Sequence, residues 1–139
     1  MNRIEQSFKV LKQQDRKAFI PYIMGGDGGL NNLTEHLLTL EKFGATLIEV
    51  GVPFSDPVAD GPTIQQAGIR ALQNGTTLRG IIAELTKARE VVSIPIVLMT
   101  YLNPIYSYGI PAFAQDIANA GVDGCIIPDL PMEEEELLA

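Results

Sequence analysis

Glu49 lies inside the apolar run LIEV (47–50), where an ionised carboxylate is costly to desolvate unless it is paired or put to use. Four more carboxylates, Asp27, Asp56, Asp60 and Asp129, fall in segments rich in Gly and Pro. Aspartates in such segments are most often turn-forming or helix-capping. Asp60 stands just before Gly61-Pro62, where it can serve as a helix cap or as a functional group. Two carboxylates on one rim suit proton transfer without a metal, because unequal burial can leave one protonated and the other ionised near neutral pH. Tyr22, Tyr101, Tyr106 and Tyr108 flank the same segments and offer either an aromatic pocket or simple rim packing. His36 has no second ligand at i+4, so exposure or core packing is expected of it rather than metal binding. Cys125 is the only cysteine, which leaves no disulfide, zinc spacing or redox pair. It reads as a small buried hydrophobe.

These residues need elements to position them. Ile4, Phe8 and Leu11 recur at helical spacing and predict a short amphipathic helix with one buried stripe, suited to capping the end of a barrel. AFIPYIM (18–24) predicts a strand ended by GGDGG, whose glycines permit positive φ. Leu33, Leu37 and Leu40 predict a helix between a cap at Asn31 or Asn32 and a terminating Gly44. TLIEV (46–50) predicts a second strand, followed by the loop GVPFSDPVADG and a helix opened by Pro62, with Ile64, Ala67 and Ala71 inward. After Gly75 a further helix carries Leu78, Ile81, Ile82 and Leu85. IPIVLMTY (94–101) is continuously apolar, as a parallel strand covered on both sides should be. LNPIYSYG then reads as a loop, residues 111–121 as a helix, VDGCIIP (122–128) as a fourth strand and DLPMEEEELLA as the start of another helix.

The order is α/β, one helix and then four strand–helix units, with no hairpin signal, so parallel strands and right-handed crossovers are expected. Two architectures compete, an open doubly wound sheet and part of a (β/α)8 barrel. No GxGxxG follows the first strand and GGDGG lacks a P-loop ending, so nucleotide binding has no support and the barrel is preferred. In either architecture the loops after residues 24, 50, 101 and 128 share the face where function sits.

The 139 residues suffice for one packed domain, and 46% apolar with 19% charged is an ordinary globular balance. A net charge of −7 argues against nucleic acid as a partner. No apolar run approaches the ~20 residues that span a bilayer, and the polar N-terminus lacks a secretory core, so a cytoplasmic protein without a membrane partner is expected.

LIEVGVPFSDPVADGPTIQQA (47–67) resembles the signature of the tryptophan synthase alpha family almost without interruption. PYIMGGDGG, PIVLMTYLNPIYSYG and GVDGCIIPDLP are similar to its other blocks, in the same order and spacing. One local departure is GGDGG (25–29), in place of a small residue, Gly-Asp and then Pro. The resemblance implies a (β/α)8 TIM barrel of which residues 1–139 form the N-terminal half, about four β/α units with no internal domain boundary. It implies a lyase that cleaves indole-3-glycerol phosphate to indole and glyceraldehyde 3-phosphate by a retro-aldol reaction without a cofactor.

Under that resemblance Glu49 is the general acid/base and Asp60 the carboxylate that holds the indole N–H and stabilises the developing ring cation. Tyr22, Thr100, Tyr101 and Asp129 fall at the substrate pocket and its rim. Pro53, Phe54, Ser55, Asp56 and Pro57, with Asn103 and Pro104 in a second loop, match segments that touch the beta subunit in an alpha2beta2 heterotetramer. Pyridoxal phosphate is expected only on that partner. A whole barrel needs ~250 residues, so the family's phosphate site and lid are expected outside this sequence. A half barrel of this kind exposes two edge strands and an apolar inner face, and self-association follows as a further expectation.

Overall fold

Side chains along the strands alternate between two faces of the sheet. Ile48, Val50, Ile96 and Leu98 are at most 1% exposed and belong to one apolar cluster with Leu37, Ile81, Leu85 and Phe113 from the covering helices. Because side chains alternate across a strand, the intervening residues, Glu49 and Gly51 on one strand and Val97 and Met99 on the next, point to the opposite face. The computed structural model describes residues 2–55, 57 and 59–130. In it β1 (Tyr22–Met24), β2 (Ile48–Gly51), β3 (Ile96–Met99) and β4 (Gly124–Ile126) form one parallel sheet in the order β1-β2-β3-β4. Each strand neighbours the next in sequence. A doubly wound sheet reverses its order at a switch point, so this unreversed order decides for the barrel-type arrangement.

The helices are α1 (Arg3–Gln13), α2 (Leu33–Lys42), α3 (Pro62–Gln73), α4 (Leu78–Ala88), α5 (Leu102–Tyr108) and α6 (Ile110–Asn119), with a 3-10 turn at Leu30–Asn32. Sequence signals set most of their ends. Pro62 opens α3, Thr77 caps α4 by accepting the Gly80 N–H at 3.1 Å, and Gly44 follows α2 at φ 95°. The inward residues expected of α4, Leu78, Ile81, Ile82 and Leu85, are all buried. Full burial of one such side chain stabilises by about 1.5–3 kcal/mol.

Three expectations need correction. LNPIYSYG is not a loop but the helix α5. Pro104 sits in its first turn, where no backbone N–H is needed, and Asp129 Oδ1 accepts the Leu102 N–H at 2.8 Å from 27 residues away. The stripe of α1 is only partly buried: Leu11 is, while Phe8 is 40% exposed. The helix does sit at the N-terminal end of the sheet, where Arg3 pairs with Asp123 at 2.8 Å. Cys125 is exposed, because β4 pairs only with β3 and nothing among the described residues covers its outer side. The helix expected from residue 129 onward falls largely on residues 131–139, outside the described residues.

The same N-terminal end holds a buried polar network. Asp123 Oδ2 accepts from Arg89 Nη2 at 3.0 Å and from the Ile96 N–H at 2.9 Å. Arg89 also donates to the carbonyls of Gly121, Val92 and Ile94. It therefore ties α4, β3 and β4 together at the end opposite the functional loops, where a barrel keeps its stabilising contacts.

Candidate active site

Strand register places Tyr22, Glu49, Val97 and Gly124 side by side, with Met24, Gly51, Met99 and Ile126 in the next layer toward the C-terminal ends. Glu49 is half-buried, and that burial pushes its carboxyl above the usual carboxylate range. Tyr22, its neighbour across the sheet, sends its hydroxyl over Gly51, where a Cβ would come within 1.8 Å of it. The hydroxyl is buried and has no hydrogen-bond partner among the described residues. Its pKa is raised well above the tyrosine range, first by burial and then by the nearby charges of Asp60 and Glu49. Both carboxylates thus act on one phenol. Ile64 and Ala67 of α3 pack beside Tyr22 and Met24 and complete an apolar wall.

Asp60 lies in the loop between β2 and α3, held from two sides. Tyr101, 1% exposed at the end of β3, accepts the Ala59 N–H on its hydroxyl at 2.9 Å. Its ring lies against Phe54, with centroids 5.4 Å apart. Burial raises the Tyr101 pKa; the Ala59 bond works the other way, and the charge of Asp60 adds to the rise. On the other side Gln65 Nε2 donates to the Asp60 carbonyl at 2.9 Å. The cap of α3 is Gly61, without a side-chain hydrogen bond, so the Asp60 carboxylate is not used for capping.

Asp27, in the glycine loop after β1, forms a bidentate pair with Arg70 of α3, both contacts at 2.9 Å. That hydrogen bond holds the Asp27 carboxyl below the usual range. Asn74 adds a bond to the Gly26 carbonyl at 3.3 Å, so α3 is braced against the first loop while it walls the pocket. Gly26 and Gly28 adopt φ +86° and +81°, which only glycine adopts without strain.

The remaining candidates are placed unequally. Thr100 is fully buried and donates its hydroxyl to the Tyr101 carbonyl at 3.0 Å. Asp129 is exposed and occupied by the α5 amide described above. Tyr101 and Asp129 therefore hold loop and helix at the site's edge. Pro53 is buried, Ser55 and Asn103 are exposed, and Phe54, Pro57 and Pro104 are half-buried; Asp56 lies outside the described residues. Phe54, Ser55 and Pro57 line an apolar cavity of about 540 Å³ with Gln65, Ile69 and Leu72 of α3. Sequence reasoning missed the Arg70–Asp27 brace and the Tyr101–Ala59 bond. Their partners are 43 and 42 residues apart, and neither leaves a local signal. His36 is exposed on α2, and among the described residues no three His, Cys, Asp or Glu side chains converge as a metal site would need. No described helix is long and apolar enough to cross a membrane.

Residues 8–139 match the family described as tryptophan synthase alpha chain. The chain is 53% identical over 139 residues to the tryptophan synthase alpha chain of Bacillus cereus (strain ZK / E33L), covering 100% of this chain and 52% of that one. It is 56% identical over 127 residues to that of Bacillus mycoides (strain KBAB4), covering 91% and 49%. Among solved structures, tryptophan synthase subunit alpha from Legionella pneumophila str. Paris superposes with a TM-score of 0.95 at 40% identity, over 99% of this chain and 53% of that chain. A tryptophan synthase structure from M. tuberculosis superposes with a TM-score of 0.89 at 39% identity, over 98% and 55%. The chain thus spans about half the length of the curated relatives it matches, and its four parallel strands correspond to about half of the barrel. From signature, strand order and these likenesses together, the chain belongs to the tryptophan synthase alpha chain family.

Proposed function

We propose that the protein is a carbon–carbon lyase that cleaves indole-3-glycerol phosphate to indole and glyceraldehyde 3-phosphate in tryptophan biosynthesis, without a cofactor. Residues 1–139 serve as the N-terminal half of one barrel domain. The observation that carries this reading is the half-buried Glu49 on the pocket face, its carboxyl raised by burial, beside an aromatic wall. A carboxyl raised in this way is better suited than an exposed one to give a proton as well as take one. Glu49 protonates ring C3 and then accepts the proton of the hydroxyl on the adjacent chain carbon. That C–O becomes the aldehyde C=O, the bond to C3 breaks, and its electron pair restores the indole. Asp60 accepts the ring N–H and stabilises the transient ring cation.

Tyr22 with Ile64 forms the wall against the ring, and Thr100, Tyr101 and Asp129 support the rim. The loop carrying Pro53 to Pro57, together with Asn103 and Pro104, meets the beta chain in the cytoplasmic alpha2beta2 complex. Pyridoxal phosphate belongs to that partner. The test is indole release from indole-3-glycerol phosphate, with and without beta chain, compared with a Glu49→Gln variant. A general acid–base group typically contributes about 10²- to 10⁴-fold, and a loss of that size is expected.

A second reading rests on the edges of the sheet. Among the described residues β1 and β4 each pair on one side only, which suits a protein that binds the beta chain or a second copy of itself without catalysis. Binding of the beta chain without indole release would favour it.

A further inference from the structure

Asp60 is held through its backbone on both sides. Its N–H donates to the Pro57 carbonyl at 3.1 Å, and its own carbonyl accepts from Gln65 Nε2 at 2.9 Å. Because each peptide unit is planar, tying the amide before a residue and the carbonyl after it limits the direction in which the side chain leaves the backbone. The same Gln65 amide also reaches the Pro57 carbonyl, at 3.4 Å, so one side chain spans both ends of this stretch. Neither core packing nor capping explains Gln65: it is exposed, and the cap of α3 is Gly61.

The anchorage of α3 gives that contact its meaning. Arg70 and Asn74, further along the helix, bond Asp27 and the Gly26 carbonyl in the loop after β1. Ala67 and Ala71 are buried beside Met24 of β1. The helix is thereby fastened to β1, whose Tyr22 stands level with Glu49. Through Gln65, a carboxylate on a loop is tied to the strand pair that carries the other carboxylate. Stabilising a developing charge depends on groups that are already in place when the charge forms.

We infer that Gln65 is a positioning residue for the reaction: its amide clamps the Asp60 loop to α3 and so sets the Asp60 carboxylate against the substrate ring. The inference rests on the lyase reading above. Gln65→Met keeps length and helix propensity but removes the donor. Gln66→Met is the matched control at the next exposed position of α3.

The test measures indole release from indole-3-glycerol phosphate, with beta chain present, for the protein, both variants, Asp60→Asn and the Gln65→Met, Asp60→Asn double variant. Hydrogen exchange of the Asp60 amide is followed in the protein and in the two Met variants. Gln65→Met should lower kcat roughly two- to tenfold, the size of one neutral hydrogen bond. KM should stay nearly constant, because the charge of Asp60 counts most against the ring cation formed on the way to products. The Asp60 amide should lose protection, Gln66→Met should match the protein in both readouts, and adding Gln65→Met to Asp60→Asn should cost nothing further. An unchanged kcat, a rise in KM alone, equal losses in Gln66→Met, unaltered Asp60 exchange or a full further loss in the double variant overturns the positioning role and leaves the lyase reading intact. No indole release by the unsubstituted protein overturns the lyase reading, and the inference with it.

Discussion

The Tyr22 hydroxyl occupies the space that a side chain on Gly51 would fill, 1.8 Å from where its Cβ would stand. Gly51→Ala should therefore destabilise the fold by about 1–3 kcal/mol, the usual cost of overpacking. Because the clash lies with one side chain, Tyr22→Ala should relieve it, and the two substitutions should be strongly non-additive in urea unfolding. Additive effects would mean that the two residues do not meet as described.

Tyr101 should act through Asp60's loop. Tyr101→Phe keeps the ring against Phe54 but removes the acceptor of the Ala59 N–H. A cost of about 0.5–1.5 kcal/mol is expected for losing one part-buried hydrogen bond. The specific readout is hydrogen exchange: the Ala59 amide should lose protection while the β2 and β3 amides keep theirs. An unchanged Ala59 exchange rate would sever the link from Tyr101 to the loop.

The pairs that shape this site explain what was legible in the sequence. Helices α3 and α4 carry their signals locally, in Pro62 and the spacing of Leu78, Ile81, Ile82 and Leu85, and these appear where expected. Glu49 was conspicuous because a carboxylate interrupts an apolar strand. The helix α5 was not legible, because the carboxylate that caps it, Asp129, arrives from the next β/α unit and a proline disguises its first turn. Sequence also left Asp60 open between cap and functional group; the cap position went to Gly61. Nothing local foretold that Cys125 would be exposed, since exposure there depends on what lies beyond β4.

At the opposite end of the sheet, Asp123 and Arg89 have side chains only 6% and 13% exposed. Asp123→Asn removes the charge facing a largely desolvated guanidinium and should cost about 3–5 kcal/mol, as breaking buried pairs does. Arg3→Ala, which removes the exposed partner of the same carboxylate, should cost about 0–1 kcal/mol. Denaturant titrations of the two variants should differ accordingly. Equal losses would contradict the placement of Arg89 in the buried network.

Glu49 should leave a mark on stability as well as on turnover. Its carboxyl titrates higher in the folded chain than its ordinary value near 4.5, because burial disfavours the charge. The folded state therefore binds the proton more tightly than the unfolded one, and this contribution is lost as pH rises through the folded value. Glu49→Gln should raise the urea midpoint at neutral pH, with the advantage vanishing below about pH 4.5. A midpoint difference independent of pH would mean that burial of the charge is not what Gln relieves.

The most direct measurement is the rate of indole release from indole-3-glycerol phosphate by the protein and by Glu49→Gln, with beta chain present. Release by the protein and a fall of at least about a hundredfold in the variant is the outcome expected of a general acid–base group. Equal rates in the two would remove Glu49 from the chemistry and contradict the proposed mechanism at its centre.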